Sequence, residues 1–273
     1  MHPRTQTLSG DPPTQFRRDG FVFPFSVFTE REAAAWADEV LALATAGVPD
    51  HGVPWNQKTY LLLPSLDALV RDRRLTDQVA AVLGEDLLVL SADVFVKEAR
   101  STRRITWHQD VNFWELDPFE MLTAWVAVTP ATPRNGGMRY ARAAHHGRIP
   151  HVERPDPENA LSRGQELAVA VEEASVVAVT LAPGQVAFHH ALTPHASGPN
   201  ETDGPRIGFA IRYASTAVRQ LAGPPISARL ARGTDRHGNF RLESAPDLPL
   251  SPKARLEHER ALAPHASTNF STV

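Results

Sequence analysis

The middle of this chain contains six short segments with strand-like composition, and they constrain the fold more than any other feature. Each segment is rich in β-branched or aromatic residues and is bounded by Pro, Gly or Asn. Many short strands separated by turns predict a β-sandwich or barrel. The segments are Leu87–Leu90, Asp93–Lys97, Thr123–Val128, Ser175–Val179, Gln185–His189 and Ile207–Tyr213.

The residues before these strands carry helix signals. Thr29 and Glu32 form a capping-box pattern, and the apolar residues of 33–46 have helical spacing. Residues 66–83 predict a helix pair that is broken near Arg74 and closed by Gly84. The N-terminal third is therefore expected to be mainly helical, apart from one short strand at Phe21–Phe23.

These patterns together predict one mainly β domain over residues 1–273, with flanking α-helices. A chain of this length suits a single sandwich or barrel. Its expected parts are a flexible lead-in at 1–19, a mainly helical region at 20–86, a jelly-roll core at 87–215 and a C-terminal extension at 216–273.

Composition excludes several classes of function. The chain has no cysteine, so a metal ion must be held by His, Asp or Glu. The formal net charge is −3 and no long basic run is present, which argues against a nucleic-acid partner. No apolar stretch is long enough to span a bilayer, and we expect a cytoplasmic protein with no membrane partner.

The segment Trp107-His108-Gln109-Asp110 has the strongest chemical signal. On an extended strand, His108 and Asp110 point to the same face because side chains alternate with a period of two. A third imidazole from His195, on a distant strand, would complete a site of two histidines and one carboxylate. That ligand set is typical of non-heme Fe(II) oxygenases.

Arg206 follows His195 by eleven residues and opens a predicted strand. A guanidinium binds a carboxylate through two parallel hydrogen bonds and stays charged when it is buried. A keto acid that chelates iron at one end needs such a partner at its other end. The alternative for Arg206 is a surface residue in the polar turn Asp203–Arg206.

Taken together, these motifs resemble the phytanoyl-CoA dioxygenase family over roughly Phe16–Tyr213. The resemblance implies a double-stranded β-helix core of the jelly-roll or cupin type. It also implies Fe(II), with 2-oxoglutarate and O2 as co-substrates, and oxidation of an unactivated C–H bond with release of succinate and CO2. The resemblance rests on Trp107–Asp110, Asn135–Met138, Pro183–Val186, His195–Asn200 and Arg206.

The resemblance also implies roles for individual residues. Halogenating relatives lack the carboxylate ligand, so the presence of Asp110 favours hydroxylation. Ala196 stands where the family usually has glycine, a departure that adds only a methyl group. The implied iron ligands are His108, Asp110 and His195, and the implied 2-oxoglutarate contacts are Arg206, Ser197, Trp125 and Lys97.

Substrate contacts are expected close to the metal ligands and on nearby loops. His189 and His190 are adjacent on a strand, so only one of them can face inward. A loop carrying Gln57, Lys58 and Tyr60 is expected to cover the site as a lid. The expected substrate-binding residues are Asn112, Phe113, Trp114, His151 and His190.

Two other functions stay open from the residues alone. A zinc-dependent hydrolase could use the same three ligands, although it has no need of Arg206. A non-catalytic jelly-roll binding protein is the second alternative. In each case we expect a small-molecule ligand and a monomer or homodimer.

Overall fold

The computed structural model describes residues 11–46, 53–161 and 163–264. Five α-helices lie in these ranges, four of them before residue 84. None of these helices is both long and apolar enough to cross a bilayer. The helices are α1 (Pro12–Asp19), α2 (Glu30–Ala46), α3 (Pro64–Val70), α4 (Arg73–Leu83) and α5 (Pro252–Leu262).

Local hydrogen bonds explain where these helices begin. The Thr29 N–H donates to Glu32 Oε2 at 2.8 Å, and the Glu32 N–H donates to Thr29 Oγ1 at 3.2 Å, which confirms the capping box. Asp72 caps α4 by accepting from the Arg74 N–H at 2.8 Å. The break between α3 and α4 therefore lies just before Arg73, slightly earlier than predicted.

In the described part of the chain, fifteen strands form two facing sheets and two small two-stranded sheets. Every strand pair within these ranges is antiparallel except the last pair of the main sheet. The main sheet has the order β1-β10-β5-β12-β2-β14-β15, with β1 (Phe21–Ser26), β2 (Leu87–Lys97), β5 (Met121–Ala127), β10 (Gln185–His190), β12 (Arg206–Ser215), β14 (Ser227–Arg232) and β15 (Arg241–Leu242). The second sheet has the order β3-β11-β6-β9, with β3 (Ile105–His108), β6 (Met138–Ala141), β9 (Val176–Ala178) and β11 (His195–Ser197). The smaller pairs are β4 (Glu115–Asp117) with β13 (Arg219–Ala222), and β7 (His151–Glu153) with β8 (Gln165–Leu167).

This arrangement is mixed α/β with dominant antiparallel sheets, consistent with a double-stranded β-helix. One expectation needs correction. Residues 12–19, expected in a loose lead-in, form α1, while residues 1–10 lie outside the described ranges. The short strand predicted at Phe21–Phe23 is part of β1, which pairs with β10 in the main sheet. The C-terminal extension supplies β14, which pairs with β2.

Strand β12 separates the hydrophobic core from the polar pocket. Ile207, Phe209 and Ile211 are buried on the face that packs against the helices. Arg206 and Arg212 belong to the alternate set of residues, so they face the second sheet. The main sheet thus has an apolar face toward the helices and a face toward the second sheet that carries the candidate site.

Candidate metal centre

The structure brings His108, Asp110 and His195 together. One ligand atom from each residue lies within 4.8 Å of the others, and all three side chains are buried. His108 and His195 are directly opposite each other in the antiparallel pair β3–β11. Residues opposite each other on one face of a sheet have neighbouring side chains, so this pairing alone places two imidazoles side by side.

Asp110 lies just beyond the strand instead of on it. Strand β3 ends at His108, and Asp110 begins a short 3-10 helix that ends at Phe113. Gln109 between them keeps an extended backbone, with φ −116° and ψ 138°. Because Gln109 is extended, the two side chains still reach the same side, and the prediction from strand periodicity succeeds for that reason.

Gln109 is a buried residue whose role the sequence did not indicate. Its side-chain amide donates to Leu192 O at 2.6 Å and to Gly147 O at 2.9 Å. Its side-chain oxygen accepts from the Ile149 N–H at 2.8 Å. These bonds fix the backbone between the two ligand candidates to two neighbouring loops.

The two candidate ligand histidines have the protonation state that a metal ion requires. Nδ1 of His108 lies 2.9 Å from Thr106 O, and Nδ1 of His195 lies 3.0 Å from Thr193 O. Because a carbonyl oxygen only accepts, each Nδ1 carries the hydrogen and each Nε2 keeps its lone pair. Burial, with each ring's histidine neighbour adding to it, lowers the pKa of His108 to about 3 and that of His195 to about 4. Both rings are therefore neutral at physiological pH.

Asp110 leaves one carboxylate oxygen without a hydrogen bond. Oδ2 accepts from Thr123 Oγ1 at 2.6 Å and lies 3.4 Å from His189 Nε2. Oδ1 is buried and has no hydrogen-bond partner, although Arg212 Nη2 lies 3.6 Å away. Burial alone would raise the pKa of Asp110, but Arg212 and the His189 hydrogen bond outweigh it and hold the pKa well below its usual range. A buried, ionised oxygen beside two imidazole lone pairs fits a divalent cation.

Arg206 is a buried cation without a carboxylate partner in the described part of the chain. Its one side-chain hydrogen bond there runs from Nη2 to Gly136 O at 3.1 Å, and its buried Nε has no hydrogen-bond partner. The guanidinium carbon lies 5.5 Å from the centroid of the Trp125 ring. Burial lowers its pKa to about 10, so the group is still charged at neutral pH. An unpaired buried guanidinium fits an anionic ligand.

Lys97, Ser197 and Trp125, the other residues that the resemblance implies for 2-oxoglutarate binding, lie at the same end of the pocket as Arg206. Lys97 is opposite Arg206 in the β2–β12 pair, and its Nζ donates to Ser197 Oγ at 3.0 Å and to Gly198 O. Burial, together with the positive charges of Arg206 and Arg103, lowers the pKa of Lys97 to about 7. This end of the pocket thus holds two cationic groups that lack an acidic partner among the described residues.

Gly208 explains how Trp125 fits between the strands. A Cβ atom at position 208 would lie 2.1 Å from Cζ2 of the Trp125 indole. Only glycine allows this close approach. The sequence segment Arg206-Ile207-Gly208 contains the signal, because a glycine inside a strand often marks such an approach.

The structure separates the expected substrate contacts into two groups. Phe113 lies with its ring centroid 6.0 Å from that of His108, and the Trp114 ring lies 5.6 Å from the guanidinium carbon of Arg212. Asn112 lies beside Phe113 in the same short helix. This group forms one rim of the candidate metal site.

The two histidines of that prediction are placed differently. Both ring nitrogens of His151 form hydrogen bonds. Nε2 accepts from the Gln109 N–H at 3.1 Å, and Nδ1 donates to Ile149 O at 2.8 Å. His190 is a wrong prediction, because its ring contacts Phe16 and His145 on the opposite face of β10. His189 is the inward-facing member of that pair, as its contact with Asp110 shows.

Arg212 is the main residue that sequence reasoning missed. Nη1 lies 2.5 Å from Asp93 Oδ2, and Nη2 lies 3.6 Å from Asp110 Oδ1. The signal was present, since residues 206 and 212 are six apart on one strand and therefore share a face. Nothing in the sequence shows which carboxylates they would meet.

The chain is similar to proteins that carry out oxidative chemistry. The family model described as "Phytanoyl-CoA dioxygenase (PhyH)" matches residues 16–208. A solved structure titled "non-heme monooxygenase; ThoJ apo" superposes with a TM-score of 0.83 at 37% identity, covering 94% of this chain and 96% of that one.

Two curated relatives show more distant similarity. Ectoine dioxygenase of Bordetella bronchiseptica is 25% identical over 243 residues, which cover 80% of this chain and 78% of that protein. A probable alpha-ketoglutarate-dependent hypophosphite dioxygenase of Stutzerimonas stutzeri is 27% identical over 170 residues, covering 61% of this chain. That match spans only 59% of the relative's own length.

Proposed function

Because the chain belongs to the phytanoyl-CoA dioxygenase family of Fe(II)- and 2-oxoglutarate-dependent oxygenases, we propose that it hydroxylates a small-molecule metabolite. The oxidised position would be an unactivated C–H bond, and succinate and CO2 would be released. The observation that carries this proposal is the arrangement of Asp110, whose Oδ1 is ionised, buried and unbonded beside the Nε2 atoms of two neutral histidines.

The iron would be held by Nε2 of His108, Nε2 of His195 and Oδ1 of Asp110. Three facial ligands leave positions open for 2-oxoglutarate and O2, and the bound iron with these two molecules supplies the oxidising chemistry. The chain's own contribution is positioning. Carbonyl groups orient the two imidazoles, and Thr123 with His189 holds the other oxygen of Asp110.

The distal carboxylate of 2-oxoglutarate would pair with Arg206. Lys97 and Ser197 would bind the same carboxylate, while Trp125 forms an apolar wall beside it. The pocket between Arg206 and the metal ligands is also lined by Phe95, Ile105 and Met138. These apolar side chains exclude water, which strengthens the ion pair between Arg206 and the ligand.

Asp110 supports hydroxylation over halogenation. Its carboxylate is fixed at the metal site by Thr123 and lies close to Arg212. With that carboxylate as a ligand, no position is free for a halide in its place. We propose that the substrate approaches from the rim formed by Asn112, Phe113 and Trp114, which begins two residues after Asp110.

The proposal is tested by succinate formation. Protein loaded anaerobically with Fe(II) and 2-oxoglutarate is exposed to O2, and succinate is measured across a panel of small-molecule substrates. The wild type should form succinate, and a true substrate should increase the amount. Asp110→Ala should form none, whereas Asp203→Ala, which removes a carboxylate that is 86% exposed, should match the wild type.

The same measurement addresses the alternative functions. A zinc-dependent hydrolase or a non-catalytic binding protein would release no succinate under these conditions. Absence of iron- and O2-dependent succinate from the wild type, with or without the substrate panel, would contradict the proposed reaction.

A further inference from the structure

A second cavity adjoins the metal pocket at its Arg206 end. This cavity has a volume of about 220 Å³ and runs along the edge of β2. It shares Phe95, Ile105 and Arg206 with the metal pocket, but it contains none of the three metal-ligand candidates. A molecule in this cavity therefore lies against Arg206 without contacting the three metal-ligand candidates.

The walls of this cavity carry an excess of positive charge. Lys97, Arg103 and Arg206 line it, and none of them forms an ion pair within the described part of the chain. Glu98 is the one acidic residue among the lining residues, and it is exposed. A concave surface with one sign of charge raises the local concentration of oppositely charged molecules.

Arg103 is not explained by the binding of 2-oxoglutarate at Arg206. The distal carboxylate of that molecule has Arg206 and Lys97 as partners. The Nε of Arg103 is nevertheless buried and has no hydrogen-bond partner. The neighbouring Arg104 shows the ordinary arrangement, because it pairs with Asp156 at 2.6 Å and with Glu158 at 3.0 Å.

The less buried residues of the metal-pocket wall lie at two separate places. Among the residues lining the metal pocket, only Phe95, Ile105 and Arg212 are not buried. Phe95 and Ile105 border the cationic cavity. Arg212 lies at the other rim, under the ring of Trp114, where the substrate is proposed to approach.

We propose that the cationic cavity is an entry site for dicarboxylates, through which 2-oxoglutarate reaches Arg206 and succinate leaves. Arg103 attracts the dianion at the outer part of the cavity, and Lys97 and Arg206 receive it further in. The co-substrate and its product then exchange without displacing a substrate from the Trp114 rim. This inference rests on the proposed function, because it takes 2-oxoglutarate as the ligand of Arg206.

The test measures the rate of 2-oxoglutarate association under anaerobic conditions. Full-length protein with Fe(II) is mixed with 2-oxoglutarate in a stopped-flow instrument, and the charge-transfer absorption of the ternary complex is followed at several salt concentrations. Arg103→Gln should lower the association rate constant about three- to tenfold at low salt and should flatten its salt dependence. Arg104→Gln is the matched control and should change the rate less than about twofold, since Arg104 is already paired.

A second variant separates steering by charge from a structural role of Arg103. Arg103→Lys keeps the charge but loses the planar guanidinium, and it should retain nearly the wild-type association rate. An unchanged rate and salt dependence in Arg103→Gln, or an equal loss in Arg104→Gln, would overturn the entry site while leaving the proposed function intact. A wild-type protein that shows no absorption change with 2-oxoglutarate would overturn both.

Discussion

Arg206 and Arg212 lie six residues apart on the same face of β12, yet their surroundings are opposite in charge. Arg212 has the carboxylates of Asp93 and Asp110 within 3.6 Å. Arg206 has no carboxylate near it in the described ranges and donates to one carbonyl. Burial lowers the pKa of Arg206 to about 10, whereas at Arg212 burial is outweighed by the two carboxylates and the pKa is raised.

The same contrast separates two buried lysines. Lys58 is paired with Glu243, which also accepts from Tyr60 and Ser227. Among the described residues, Lys97 has only a hydroxyl and a carbonyl as partners. Burying a charge without its counter-ion costs several kcal/mol. Two such charges, on Lys97 and Arg206, lie at one end of the pocket, which favours the binding of an anion there. The paired cations have their counter-ions within the protein, whereas the unpaired cations would gain a counter-ion from a bound anion.

The first prediction concerns stability and has the largest expected effect. Arg212→Met leaves Asp93 and Asp110 unpaired, and we expect the free energy of unfolding of the metal-free protein to fall by about 3–5 kcal/mol. Arg206→Met removes an unpaired buried charge. It should lower the free energy of unfolding by less than about 1 kcal/mol, or should raise it. Urea denaturation measures both values. Equal losses in the two variants would remove the distinction between paired and unpaired arginines.

The second prediction concerns Asp93, which holds Arg212 beside Asp110. Asp93 is itself fixed by Ser91 Oγ at 2.6 Å and by the Lys58 N–H at 3.2 Å. Asp93→Asn should therefore weaken Fe(II) binding by about 10- to 100-fold, as loss of a residue behind a metal ligand commonly does. Equilibrium competition with a chelator measures this affinity.

Asp67 of α3 provides a matched control for Asp93. Asp67 pairs with Arg229 of β14 at 2.7 Å and is similarly shielded from solvent. Asp67→Asn should cost comparable stability but leave Fe(II) affinity unchanged. If both variants bound iron equally well, Asp93 would have only a structural role.

The third prediction concerns pH and has the smallest effect. Because the pKa of Lys97 is lowered to about 7, this group loses its charge as pH rises through that value. A nearby carboxylate favours the charged form, so 2-oxoglutarate binding takes up a proton, and affinity should fall above about pH 7 by at most tenfold per pH unit. Titration calorimetry at a series of pH values measures this dependence. The Lys97→Met variant should lack it, and identical pH profiles in the two proteins would rule out Lys97 as its source.

Features set by local sequence were the ones that sequence could predict. The Thr29 cap needs only residues three apart, and strand periodicity placed His108 and Asp110 on the same face. The choice between His189 and His190 was beyond this reasoning, because periodicity says that one faces inward without saying which.

Features that depend on distant partners could not be predicted. Lys58 and Tyr60 were expected on a lid over the site, but both are buried and bonded to Glu243, more than 180 residues away in the sequence. No local pattern marks such a pairing. For the same reason, the sequence could not show that Arg212 pairs with Asp93 or that Arg206 has no carboxylate partner in the described ranges. Both depend on which strands are neighbours in the folded sheet.

The central claim is that Arg206 is unpaired because a carboxylate of the co-substrate is its partner. The most direct test compares the binding of 2-oxoglutarate with that of 2-oxobutyrate, which keeps the 2-oxo acid but lacks the distal carboxylate. Wild-type protein with Fe(II) under anaerobic conditions should bind 2-oxoglutarate at least about 30-fold more tightly, the equivalent of roughly 2 kcal/mol for a buried charge pair. In Arg206→Gln this preference should disappear. A variant that still prefers 2-oxoglutarate as strongly as the wild type would contradict the account.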